Sequence, residues 1–300
     1  MSAPLPNNPF DDLFTLLTAE RLLHHPRATG EGVSVCILDS GVERAALEEK
    51  FRRQRQTILP IEGGIFVAEQ AEPLPYDGHQ STPHGTTVAD ILLTLAPGIR
   101  LYSADVFGPR GTCEVEVLIR ALRWAMNVWH CNVINLSLGV SEPRLQPMQR
   151  RQQLLRTIEE AYFKDILIVA AADNEHPLMR SYPAAFAPSL LSVDKGIFAN
   201  PLDFAYRLSE PIEFQAHGCG YFGPFAAEPA TSWAAPHLSA IVARLLSLRP
   251  HLKVFEIKTM LYWLCQARDR ERGSSQGSKS STETVPTVLP SSTRGTMSPE

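Results

Sequence analysis

The sequence predicts an α/β fold: a doubly wound, mainly parallel sheet with helices on both faces. Three observations carry that expectation. Short β-branched runs alternate with segments of helical period. One run, Ile166 to Ala172, is apolar throughout, as a strand covered on both faces must be. With 44% hydrophobic residues in 300, the chain has apolar mass for a large core.

Taken in order, residues 11–25 carry Leu13, Leu16, Leu17, Leu22 and Leu23, a short amphipathic helix. "GVSVCIL" (32–38) reads as a strand that ends at Asp39-Ser40-Gly41, a turn. Residues 43–80 mix charge, Gly and Pro without a firm period and read mostly as loop. From His84, Val88, Ile91, Leu92 and Leu95 form a helical stripe. "LYSADVF" (101–107) is strand-like, and Val115, Leu118, Leu122 and Ala125 stripe a helix over 114–129. "VINLSLG" (133–139) is a strand, and a polar helix over 147–163 turns Leu154, Leu155 and Ile158 inward. The apolar strand 166–172 follows. "PATSWAAPHLSAIVARLL" (229–246) is a buried helix that opens on Thr231-Ser232 and contains Pro236. Past Cys265 the chain turns to Ser, Thr, Pro and Gly and cannot bury enough surface to offset ordering. The expected organisation is an N-terminal extension (1–29), one domain (30–267) and a disordered tail (268–300).

A net charge of −4 gives no argument for nucleic acid or an anionic membrane as partner. The opening has no basic stretch, and Asp11-Asp12 interrupt its apolar run, so it does not read as a secretory signal. No window reaches the roughly 18 apolar residues of a membrane span. The five cysteines are odd in number, scattered and without a C-x-x-C pair. That pattern predicts reduced thiols in a cytoplasm and no metal site. His130-Cys131 and His217-Gly218-Cys219 lack the second close pair that zinc requires.

In a parallel sheet, functional groups gather at the carboxyl ends of strands. Asp39 stands at such an end, while His84 and Ser232 each open a helix. Singly, each is ordinary: a turn former, a helix-capping histidine, an N-cap serine. Jointly they are the types that nucleophilic catalysis needs, since a serine hydroxyl attacks only when an imidazole takes its proton and a carboxylate orients that imidazole. His79 is a rival base without the following Gly-Thr and helical stripe. His237 reads as structural, and Asp77 and Glu228 as solvated loop charges.

Five blocks occur in order: "ILDSGV" around Asp39, "HGTTVADIL" from His84, "INLSLG" from Ile134, "VAAADN" ending at Asn174, and "ATSWAAPH" around Ser232. In this the chain resembles the subtilisin-like serine peptidases, the subtilases, over roughly Gly30 to Cys265. The resemblance implies an endopeptidase in which Ser232 attacks, His84 is base and then acid, and Asp39 orients it. It implies that Asn174 donates its side-chain amide to the oxyanion beside the Ser232 N–H. Ser137, Leu138 and Gly139 would pair with an extended peptide, and with Ala171 and Ala172 would wall the specificity pocket. It also places Pro236 in the first helical turn, where an N–H has no helical partner. A structural Ca²⁺ is allowed by the resemblance, though no acidic cluster is assigned to it, and no other cofactor is expected.

The pattern departs from the family at Asp173, Ala230 and Asp90, each in place of a glycine. Thr87 replaces a second histidine, His217 a proline, and Trp233 a methionine. A carboxylate at Asp173, beside the oxyanion donor, is expected either to bias the pocket towards Lys or Arg or to depress turnover. Trp233 is expected to narrow the leaving-group side. Only about thirty residues precede the Asp39 block, which suggests an intracellular enzyme without a large pro-domain, restrained by substrate gating or an activating partner. The alternative is a catalytically weak domain of the same fold that binds extended peptides.

Overall fold

The computed structural model describes residues 16–108, 111–207, 211–221 and 228–277, with side chains as far as 270. Along the chain, the single-turn helix α1 (Ala19–Leu22) is followed by β1 (Ser34–Asp39), α2 (Arg44–Arg53), β2 (Glu62–Ile65) and β3 (Leu74–Pro75). Next come α3 (Pro83–Leu95), β4 (Arg100–Asp105), α4 (Val115–Asn127), β5 (Val133–Leu136), α5 (Met148–Phe163) and β6 (Leu167–Ala171). β7 (Leu191–Gly196), β8 (Phe204–Tyr206), β9 (Phe214–His217), α6 (Thr231–Leu248) and α7 (Val254–Gly277) complete the order.

The strands form one nine-stranded sheet in the order β3-β2-β4-β1-β5-β6-β7-β9-β8. All neighbours run parallel except the two edge pairs, β2 with β3 and β8 with β9. The doubly wound α/β expectation is met.

Strand alternation divides the core in two. Val35 and Ile37 of β1 face α3 and α6, packing with Val88, Ile91, Leu238 and Ile241. Cys36 and Leu38 face the other way, towards Leu118 and Leu122 of α4 and Leu154 and Ile158 of α5. Because α3 and α6 share a face and both begin at the carboxyl edge of the sheet, their first turns meet there.

Several expectations are corrected. The stretch read as loop at 43–80 holds α2, β2 and β3. α2 buries only Leu47 and Phe51 among charges, too thin a stripe for a period to show. β2 is Glu-Gly-Gly-Ile, and a Cβ on Gly63 would sit 2.1 Å from the Ser103 carbonyl oxygen, so glycine replaces the expected β-branched residues. The helix expected over 11–25 is the single turn α1; residues 11–15 lie outside the described residues. Of the tail expected from 268, residues 268–277 are helical instead: α7 continues to Gly277 through Ala267, which is buried, and Arg268, whose guanidinium donates to the Phe204 carbonyl. Residues 278–300 lie outside the described residues. No described helix is long and apolar enough to cross a membrane.

Candidate active site

Asp39 closes β1 at the carboxyl edge and is 1% exposed. Its Oδ1 accepts the Ser40 N–H at 2.8 Å, and His84 Nδ1 lies 2.9 Å and 3.0 Å from its two oxygens. A carboxylate only accepts, so Nδ1 carries the proton and Nε2 is the nitrogen left for chemistry. The first turn of α3 is fixed from β1: Ser40 Oγ accepts from Thr82 Oγ1 at 2.8 Å and from the Gly85 N–H at 3.1 Å. Gly85 must be glycine, since a Cβ there would fall 2.1 Å from the Gly41 carbonyl oxygen. Burial pushes the His84 pKa down, but the charge and hydrogen bond of Asp39 outweigh it and hold it above the ordinary 6.5.

Ser232 is not an N-cap. The cap is Ala230, at φ −139 and ψ 153, extended backbone that needs no glycine, and it offers no side-chain hydrogen bond. Asn174 supplies one instead: its Oδ1 accepts the Thr231 N–H at 2.9 Å and Thr231 Oγ1 at 3.1 Å. Because a backbone N–H only donates, the side-chain oxygen faces Thr231 and the amide nitrogen is left for another partner.

Pro236 is the sixth residue of α6, beyond the first turn, which corrects the expectation. Its missing N–H would have bonded the Ser232 carbonyl four residues back. Ser137 Oγ donates to that carbonyl at 2.8 Å in its place. Asn135 ties the arrangement down, donating from Nδ2 to Ser137 Oγ at 3.0 Å and accepting from Ser239 Oγ at 2.9 Å. The Ser232 hydroxyl itself donates to the Ser137 carbonyl at 3.3 Å. Among the described residues, no hydrogen bond joins it to His84.

Two cavities meet at Ser137. One, of about 140 Å³, is lined by Ser137, Leu138, Gly139, Ala171, Ala172, Asp173, Asn174, Ser181, Thr231 and Ser232. The other, of about 270 Å³, is lined by Asp39, Ser40, Thr82, His84, Phe107, Gly111 and Ser137. Every site residue expected from sequence therefore lies on one or other wall. Ser181, Thr231 and Phe107 were not anticipated. Thr231 adjoins the nucleophile candidate and could have been found from that; Ser181 lies in a stretch without period or motif. It crowds Gly139: a Cβ there would be 1.6 Å from Ser181 Oγ, so a larger residue would require that hydroxyl to turn away.

Among the departures, Asp173 turns its Oδ1 to the Glu175 N–H at 2.9 Å. Trp233 is buried, with its ring centroid 4.8 Å from that of His84 at 35°. Asp90 is fully buried against Lys50, and its Oδ2 has no hydrogen-bond partner. Thr87 bonds back to the Pro83 carbonyl at 3.1 Å. His79 lies outside both cavities, 3.2 Å from Glu43. His237 is buried between the Trp233 carbonyl at 2.7 Å and the Tyr221 hydroxyl at 2.6 Å, and burial pushes its pKa down to about 3. His237 is thus an uncharged structural group. Among the described residues no group of three or more His, Cys, Asp or Glu is placed to hold a metal ion.

Comparison with known proteins gives the family of the chain. The model of the Subtilase family matches residues 30–196, a span that includes Asp39, His84 and Asn174 and stops short of Ser232. The chain belongs to the subtilase family, whose members are serine peptidases. Subtilisin Savinase from Lederbergia lenta is 28% identical over 252 residues, covering 79% of this chain and 85% of that one. M-protease from Shouchella clausii (strain KSM-K16) is also 28% identical, and the chain spans 60% of its length. Among solved structures, a lanthipeptide protease shares the fold at TM-score 0.58 and 19% identity, over 87% of this chain and 90% of that one. A cold-adapted subtilisin-like serine proteinase does so at TM-score 0.57 and 19% identity, over 78% and 82%.

Proposed function

We propose that this chain is a serine endopeptidase that cleaves peptide or protein substrates through Asp39, His84 and Ser232, with Asn174 in the oxyanion hole. The observation that carries the reading is the double contact of Asp39 with His84 Nδ1, which leaves Nε2 for chemistry in a cavity that meets the Ser232 cavity at Ser137. An extended substrate pairs along Ser137–Gly139 and donates an N–H to the Ser137 carbonyl, the atom that holds the Ser232 hydroxyl at rest. Displaced, the hydroxyl swings to His84 Nε2. Its proton moves there as Oγ bonds the scissile carbon, and the carbonyl oxygen becomes an oxyanion. The Asn174 amide and the Ser232 N–H, in a first turn whose N–H groups lack helical partners, receive that charge. His84 then protonates the departing amine, and water repeats the sequence on the acyl-enzyme.

The resting bond of Ser232 to Ser137 favours one second reading, a peptide-binding domain in which the hydroxyl never reaches His84. Labelling with a serine-directed fluorophosphonate separates the two. The peptidase reading expects stoichiometric labelling that Ser232→Ala and His84→Ala abolish; folded protein that stays unlabelled overturns it. We also propose a reducing, cytoplasmic setting, supported by five free cysteines, four of them buried. Cell fractionation that recovers the protein outside the cytoplasm would overturn that part.

A further inference from the structure

We propose that Lys195 is a positioning residue for Asn174, and that its ammonium offsets the charge of Asp173 at the oxyanion; this rests on the peptidase reading above. Lys195 lies near the end of β7 and donates from Nζ to the backbone carbonyl of Asn174 at 2.8 Å. Asn174 is therefore held at two points, its main-chain carbonyl by Lys195 and its side-chain oxygen by Thr231. The group left unheld is the amide nitrogen that the reaction uses.

The stem of Lys195 packs on Gly218, which follows β9. A Cβ on Gly218 would lie 2.8 Å from the Lys195 Cβ. Gly218 donates to the Gly196 carbonyl at 2.8 Å and accepts the N–H of Ala230, the cap of α6, at 2.9 Å. One short relay thus fixes Lys195, Asn174 and the first turn of α6 relative to each other.

The charge matters as much as the grip. Asp173 lines the same cavity as Asn174 and Ser232, and its Oδ1 accepts the Glu175 N–H at 2.9 Å. A fixed negative charge there opposes the charge that develops on the substrate oxygen. The ammonium on the Asn174 carbonyl supplies the opposite sign one residue away. The carboxylate of neighbouring Asp194 is engaged elsewhere, 3.2 Å from Arg207 and 2.7 Å from the Lys195 N–H.

The test uses the full chain and a fluorogenic peptide that the wild type cleaves, with thermal melts to verify folding. Lys195→Met is expected to lower kcat about tenfold with KM within about twofold, as for a charge acting only on the transition state. Lys195→Arg should retain most of kcat. Adding Asp173→Asn to Lys195→Met should recover several-fold by removing the opposing charge. Unchanged kcat in Lys195→Met, a loss carried by KM, an arginine variant as poor as methionine, or no recovery in the double variant each overturns the assignment. A wild type that neither labels with fluorophosphonate nor cleaves peptide overturns the peptidase reading, and this inference with it.

Discussion

At the scale of single residues, His84 carries two opposed pH effects. Burial lowers its pKa and Asp39 raises it, with the net above 6.5. As a base it must be neutral, so kcat/KM should rise with pH through a single group whose midpoint exceeds that ordinary value. Asp39→Asn should move the midpoint down, since burial then acts unopposed. The stabilisation from the same pair runs the other way: it is full below the unfolded pKa and is lost as pH rises through the folded one. Activity and this part of stability are therefore exchanged over one interval. A kinetic midpoint at or below 6.5 would mean that Asp39 does not outweigh burial at His84. The chemistry of this residue was legible in the sequence because its block also matched a family. The contact of the Trp233 ring with its own was not legible, because no spacing rule connects positions 84 and 233.

At the scale of elements, α6 shows how a local irregularity is absorbed. Pro236 costs the helix one donor, and Ser137 restores it from the end of β5. Ser137→Ala leaves the half-buried Ser232 carbonyl without that donor and should destabilise the protein by about 1–2 kcal/mol in urea melts. Activity should fall further than stability, because the same bond fixes the nucleophile. A variant with wild-type kcat would contradict that role. Helix α3 offers a second case. Asp90 is raised by burial, and the hydrogen bond and charge of Lys50 counter it. Lys50→Met strands that carboxylate and should cost about 3 kcal/mol, whereas Lys50→Met with Asp90→Gly should recover most of the loss. Equal stability of wild type and Lys50→Met would show that the pair is incidental. Strands and helices with strong apolar periods were legible. α2 and β2 were not, because one carries two buried side chains among charges and the other is half glycine.

At the scale of the whole molecule, the parallel sheet does what no local signal states: it brings the ends of β1, β5 and β6 to one edge and seats α3 and α6 on one face. The sequence showed the parts and their order, while the register that sets Asp39 against Asp105 and Leu38 against Leu136 exists only in the folded sheet. The same burial shields the thiols. Cys113 and Cys265 are pushed up to about 12, and burial first and then Cys131 raise Cys36. One thiol, the partly exposed Cys219, should react quickly with a thiol reagent in the native protein, and all five should react in denaturant. More than one fast thiol would mean a looser core than the packing described.

The most direct measurement of the central claim is a crystal structure of the chain treated with a peptidyl boronic acid. It should show boron bonded to Ser232 Oγ, His84 Nε2 within about 3 Å of that oxygen, and the Asn174 amide nitrogen on a boronate oxygen. A Ser232 hydroxyl still resting on the Ser137 carbonyl under saturating inhibitor, or an adduct facing away from Asn174, would contradict it.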